Sequence, residues 1–367
     1  MLTKKGVFVM RKVLSMFLGL ALVLCVFTSA LAMAPDYDRA VYLGAEAVER
    51  AEDLLAVEFS KTRVIALTNA GYSESGGQST LGCLDGIAAA STASVGSSTL
   101  ITLQCRPDEP LWFAFYLPAS GRCVYLQMEA GKTAAVLEKN ARPDFELEHS
   151  ARIDAGYLFN NPKKFKKQAE DGLFGKNLFR VVTVANAAAK DCPDSALQAM
   201  RVHDHYCPGV TSGVLLAEYV QKEIISPEQD GLFVLSLVPW CKEDALTTLL
   251  NATPGKRSYG VFYADREKTG EWPEPLDKSC TIVFTKQGEK WTGHILGFDF
   301  NRAKKMYGDK KFGFYVLDKL YADLWFLDYL DRPEKFVDNL GIIALKKGES
   351  PKDFLRPDME VLQKLTP

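Results

Sequence analysis

Only four histidines occur in the 367 residues, and most of the compact catalytic signatures are missing altogether. The eight cysteines include no Cys-x-x-Cys pair, which excludes a zinc ribbon and a thioredoxin-like redox motif. Neither Gly-x-Ser-x-Gly nor His-Glu-x-x-His is present, so a hydrolase nucleophile elbow and a zincin helix are excluded as well. Thr253-Pro254-Gly255-Lys256 ends like a phosphate loop, but Leu250 stands where the first glycine belongs. Neither sign of charge is in excess, with 44 Lys and Arg against 46 Asp and Glu. Nucleic-acid binding is driven by clustered basic side chains that displace counterions, and this balance argues against such a partner.

What is present begins with an export pattern. Arg11 and Lys12 precede a continuous apolar stretch from Val13 to Phe27, which runs into the small-x-small sequence Ala30-Leu31-Ala32. This reads as a secretory signal over residues 1–32, initiated at Met10 and cleaved after Ala32, leaving no stable membrane insertion in the mature chain. An uncleaved membrane anchor is the alternative. Removing Lys4, Lys5, Arg11 and Lys12 leaves 40 basic against 46 acidic residues, a formal charge of −6. The expected location is the periplasm or another exported compartment. Seven cysteines remain, and an odd number in an oxidising compartment leaves at least one thiol outside any disulfide or in use as a ligand. Cys105 and Cys123 flank a strand-turn-strand pattern, a spacing that permits a bridge without establishing one.

The order of elements repeats. In the first half a helix over about Tyr42 to Val57 precedes the apolar run Arg63 to Thr68, a Gly/Ser-rich loop at 69–77 and a helix that opens at Cys83. In the second half a helix over 208 to about 224 precedes the run Leu232 to Val238 and a helix that opens at Cys241. Alternating aromatic segments follow in both, Trp112 to Tyr125 and Ile282 to Phe300, as an antiparallel sheet requires. Asn161-Pro162-Lys163-Lys164-Phe165 echoes Arg332-Pro333-Glu334-Lys335-Phe336. We expect an α+β fold, a tandem repeat with helices packed on a largely antiparallel sheet, divided as 35–200 and 201–367. Two similar domains sharing only generic patterning are the alternative.

The chemistry concentrates in His203-Asp204-His205-Tyr206-Cys207-Pro208-Gly209. A residue before proline is pushed toward extended backbone, and in an extended segment His203, His205 and Cys207 leave from one face. Pro208 suits a first helical position, which places Cys207 at a helix N-terminus, where a thiol is biased toward thiolate. Cys241, after a buried-looking strand, is the natural fourth member. Two imidazoles and two thiols form a zinc-compatible set, so one transition metal at His203, His205, Cys207 and Cys241 is expected. Affinity order alone favours copper over zinc at such ligands, so availability and geometry decide. A histidine pair capping the helix and a Cys207–Cys241 disulfide are the alternatives. Asp244 either orients an imidazole or complements a helix dipole. His149 and His294 read as ordinary surface or core histidines, and Lys163 to Lys167 as one solvated helix face.

On His203-x-His205-x-Cys207-Pro208-Gly209 and Cys241-x-x-Asp244-Ala245 the second half resembles the FmdE family, named for one component of formylmethanofuran dehydrogenase. The likeness covers roughly residues 200–300. Over 40–128 it is weak and rests on Cys83-Leu84-Asp85, with the His-x-His-x-Cys element lost, as in a degenerate copy. The resemblance implies an α+β core, zinc held by His and Cys, and dimerisation, which a tandem chain would supply internally as a pseudo-dimer. It does not imply formylmethanofuran chemistry, which belongs to other components of that enzyme. The functions consistent with this reading are binding or accessory handling of a metal or metallocofactor, together with a protein partner that carries one. A metal-dependent enzyme with an open coordination position and a thiol-redox or structural interaction protein are the other two.

Overall fold

The computed structural model describes residues 35–129, 132–139, 143–263 and 272–355, and the signal-like residues 1–32 lie outside them. The first half contains α1 (Pro35–Leu55), β1 (Ile65–Thr68), the short hairpin β2 (Glu74–Ser75) and β3 (Gln78–Ser79), α2 (Cys83–Ala90), β4 (Leu100–Thr102), β5 (Trp112–Leu117), β6 (Arg122–Met128), α3 (Lys132–Lys139) and β7 (Phe145–Arg152). Four helices follow: α4 (Ala155–Asn160), α5 (Pro162–Glu170), α6 (Leu178–Ala189) and α7 (Asp194–His203). The second half contains α8 (Pro208–Glu223), β8 (Gly231–Ser236), α9 (Lys242–Leu249), β9 (Tyr259–Val261), β10 (Ser279–Gln287), β11 (Lys290–Phe298), α10 (Phe300–Tyr307), α11 (Tyr315–Phe326) and β12 (Val337–Ala344).

The α+β class is as expected, and the two five-stranded sheets share one plan. Their orders are β4-β1-β5-β6-β7 and β9-β8-β10-β11-β12. In each, a single parallel pair, β1 with β4 or β8 with β9, sits at one edge, and the other pairs are antiparallel. A parallel pair needs a crossover, and here it is the helix opened by Cys83 or Cys241. The two cysteines therefore occupy the same topological place. The Asn161–Phe165 echo does not share this correspondence: Pro162 opens a helix after β7, whereas Pro333 precedes β12.

Strand alternation fixes the layering. Along β5, Phe113, Phe115 and Leu117 face the outer helices α1 to α3, while Trp112, Ala114 and Tyr116 face inward. Along β10 and β11, Ile282, Phe284 and Ile295 face outward, while Val283 and Leu296 face inward. The inward faces of both sheets and helices α4 to α8 and α11 share one continuous core, so the two halves are joined by packing as well as by sequence. Among the described residues no helix is long and apolar enough to cross a membrane.

The Gly/Ser-rich loop at 69–77 is tied down. The buried Asn69 accepts from the Trp112 backbone N–H at 3.0 Å and donates to the Pro110 carbonyl at 2.9 Å, and residues 74–79 form the small hairpin. The lysine run lies on α5 with Phe165 as its buried anchor, as expected.

Candidate metal centre

Three segments deliver the site. Ala196, Leu197, Ala199 and Met200 are buried along α7, and this helical spacing carries the chain in α-conformation through His203. Asp204 then takes the left-handed conformation at φ 66°, ending the helix, and Cys207 is extended at φ −152° before Pro208 opens α8. The expectation of an extended run from 203 to 207 is therefore corrected. The proline constrains only its immediate neighbour, and apolar packing governs the residues further upstream. The third segment is the turn after β8 that ends in Cys241.

That turn is built around a fully buried lysine. Lys242 donates from Nζ to the Val238 carbonyl at 2.6 Å and to Ser236 Oγ at 3.2 Å, pairs with Glu243, and lies 3.9 Å from the centre of the Trp240 ring. A buried ammonium has to satisfy its donors locally, so it fixes the path from Ser236 to Cys241. Helix α8 lies directly against this turn. A Cβ on Gly209 would fall 2.9 Å from the Cys241 Cβ, and one on Gly213 would fall 2.5 Å from the Lys242 carbonyl oxygen. The glycine of the Cys-Pro-Gly run is thus needed for close approach to the second cysteine.

The donor atoms of His203, Cys207 and Cys241 all lie within 4.8 Å of one another. His203 Nδ1–H donates to Asp244 Oδ2 at 2.6 Å, a carboxylate contact that assigns the hydrogen to Nδ1. Its Nε2 is buried, without a hydrogen-bond partner of normal geometry, on the side of the Cys241 sulfur. Burial alone would lower the His203 pKa, but the contacts with Asp244 and Cys241 outweigh it and bring it up to about 9. The Cys207 thiol and His203 beside it hold the Cys241 pKa well below its ordinary value, whereas Cys241, burial and the nearby Asp323 all raise Cys207. The thiolate-biased sulfur is therefore Cys241. The helix N-terminus at Cys207 is outweighed by burial and by its neighbour's negative charge.

His205 lies outside this triangle of donors. Its ring centroid is 4.3 Å from that of His203 and 4.9 Å from that of Phe179, and its Nδ1–H donates to Asp204 Oδ1 at 2.7 Å. Asp204 in turn accepts from Arg180 at 2.6 Å, and Arg180 also pairs with Glu109 of the first half at 3.2 Å. Burial raises the Asp204 pKa, but the His205 and Arg180 hydrogen bonds bring it below the usual carboxylate value. His205 and Asp204 line a cavity of about 790 Å³ together with Gln127, Lys176, Asn177 and Phe179, among others. The cavity thus opens onto the metal motif and is walled partly by the first half.

The seven described cysteines are free, so neither Cys105 with Cys123 nor Cys207 with Cys241 is bridged. In the first half Cys83 is fully buried and burial pushes its pKa up to about 12, while Asp85 accepts from Tyr37 where Asp244 accepts from a histidine. His149 accepts from the Phe174 backbone N–H at 2.9 Å, and His294 lies near Asn339, so both stay outside the cluster as expected. Sequence reasoning did not single out Asp204, Arg180, Lys242 or Asp323. Only Asp204 carried a local signal, being placed between the two histidines.

One imidazole nitrogen without a partner and two sulfurs converging from three segments define a candidate transition-metal site in an α+β domain. Residues 202–292 match the FmdE family, described as molybdenum formylmethanofuran dehydrogenase operon, and the match covers the motif and the Cys241 helix. No curated protein matches the chain.

Proposed function

We propose that this is an exported protein that holds one transition metal ion, zinc by ligand type and availability, and acts in binding or accessory handling of a metal or metallocofactor. His203 through Nε2, Cys207 and Cys241 are the ligands, Asp244 orients the His203 ring, and His205 approaches the fourth position from the cavity side. The observation that carries the reading is the buried His203 Nε2 left without a hydrogen-bond partner beside two sulfurs. Buried polar atoms are normally paired, and a metal accounts for this one. Soft thiolates with imidazole suit zinc better than calcium or magnesium. The first half serves as an internal partner that walls the cavity through Glu109 and Gln127. The expected external partner is a protein that carries a metal or metallocofactor.

The test is elemental analysis of mature protein isolated from its exported compartment without metal-affinity resin, alongside Cys207→Ala and His205→Ala. About one metal per chain in the parent and little in Cys207→Ala is the expected result. No metal in either would overturn the reading.

A second reading, a metal-dependent enzyme, is favoured by one observation, the cavity that His205 lines. Zinc would supply Lewis acidity there, and the protein would supply His205, held by Asp204, and the donors Lys176 and Gln127. A metal that does not exchange and is held by four protein groups would count against it.

A further inference from the structure

Asp323 is 0% exposed on α11, and its Oδ2 has no hydrogen-bond partner. Its Oδ1 accepts from Thr211 Oγ1 at 2.9 Å, and Thr211 sits one turn along α8 from Cys207, whose carbonyl lies 3.2 Å from the same hydroxyl. The carboxyl is close enough to act electrostatically on both Cys207 and Cys241. A buried carboxyl with an empty oxygen is costly, and such groups are normally found paired or coordinating a cation. Around it lie the two cysteines, Thr211 and the Tyr206 hydroxyl, which also lacks a partner, while the Lys319 ammonium one turn back on α11 acts on it only at a distance and gives Oδ2 no hydrogen bond.

We infer that Asp323 is the fourth protein ligand of the metal, closing the site from the interior with Oδ2 as a carboxylate oxygen. The inference rests on the metal-binding reading above and assigns the position which that reading left to His205. Asp323 stands outside the triangle of donors within 4.8 Å of one another, so ligation draws the carboxylate toward the sulfurs as the ion gathers its ligands. His205 is less free to do so. Its bond to Asp204, which Arg180 holds, keeps the ring on the cavity side against Phe179, and it too lies outside the triangle of donors. The resulting set of one nitrogen, two sulfurs and one oxygen uses ligand types that zinc accepts in a tetrahedron. The oxygen would come from α11, beyond the segment that matches the family. With four protein groups in place no position remains open, which favours holding a metal over turning over a substrate.

The test uses the full chain loaded with cobalt(II) as a spectroscopic probe in parent, Asp323→Asn, Asp323→Cys and His205→Ala proteins. Asparagine keeps the shape and the Thr211 hydrogen bond but is a poor ligand. Asp323→Asn is expected to bind cobalt at least about tenfold more weakly with an altered ligand-field spectrum, and to lose more affinity than His205→Ala. Asp323→Cys is expected to keep the site and to raise thiolate-to-cobalt absorption by about half, as a third sulfur joins two. Thermal unfolding of the metal-free proteins serves as the folding control, with Asp323→Asn expected to be at least as stable as the parent. Parent-like affinity and spectrum in Asp323→Asn, or no added absorption in a folded Asp323→Cys, would overturn the assignment while leaving the metal site standing. Failure of the parent to take up cobalt would remove the metal-binding reading and this one with it.

Discussion

Gly209 and Cys241 are separated by a gap that admits no side chain: a Cβ on the glycine would lie 2.9 Å from one Cys241 atom and 3.0 Å from its sulfur. Gly209→Ala must therefore push α8 away from the Cys241 turn. We expect a loss of about 1–3 kcal/mol in denaturant unfolding, from overpacking, together with less than one metal per chain by elemental analysis. Parent-like values in both would mean that the turn yields freely.

Asp244 is nearly half exposed and bonds His203 only through its side chain, so its removal should spare the fold and disturb the ring. Asp244→Asn is expected to weaken metal binding by about 10- to 100-fold with little change in unfolding temperature. A competition titration against a chelator of known affinity measures it. A large drop in stability without a drop in affinity would assign Asp244 to the helix instead.

Metal uptake should release protons, and their number follows from the ligands. At pH 7 His203, with a pKa of about 9, is protonated, Cys207 is a thiol, and Cys241, held well below its ordinary value, is already a thiolate. About two protons should leave these three ligands per metal bound at pH 7, and the buried Asp323, whose pKa burial raises, adds up to one more on joining as a carboxylate. Apparent affinity should rise with pH across the neutral range, since each lost proton frees a ligand. Calorimetry in buffers of different ionisation enthalpy counts them, and a count near zero would contradict the protonation pattern described for the site.

Lys242 is buried and paired with Glu243, with its amine bonded to the turn that ends at Cys241. Lys242→Met removes one charge of a buried pair and leaves the other uncompensated, which costs about 3–5 kcal/mol. The double variant Lys242→Met with Glu243→Gln should recover part of that loss. Equilibrium unfolding of the three proteins gives the comparison, and equal losses in the single and double variants would refute the coupling.

Much of this was legible in the sequence where a local rule was enough. Pro208 opening a helix, Cys241 opening the next one and the same order of elements in both halves followed from proline geometry and from apolar alternation. Local rules failed at His203, because the buried face of α7 continues the helix to that residue regardless of the proline five positions on. They also failed to identify the thiolate, since Cys241, burial and Asp323 outweigh the helix N-terminus in setting the ionisation of Cys207. Asp323 itself was invisible, because it meets Thr211 across 112 positions and carries no motif. Arg180 was missed for a similar reason: its partners Glu109 and Asp204 lie on separate segments.

The continuous core between the two sheets has a practical consequence for the cavity wall. A pocket assembled from separate chains comes apart on dilution, because its two sides obey a binding equilibrium. Here Glu109 and His205 belong to one polypeptide, and the helices that connect them are themselves packed into the shared core. The high effective concentration of one side for the other is fixed by the connection, so the pocket persists however sparse the protein becomes.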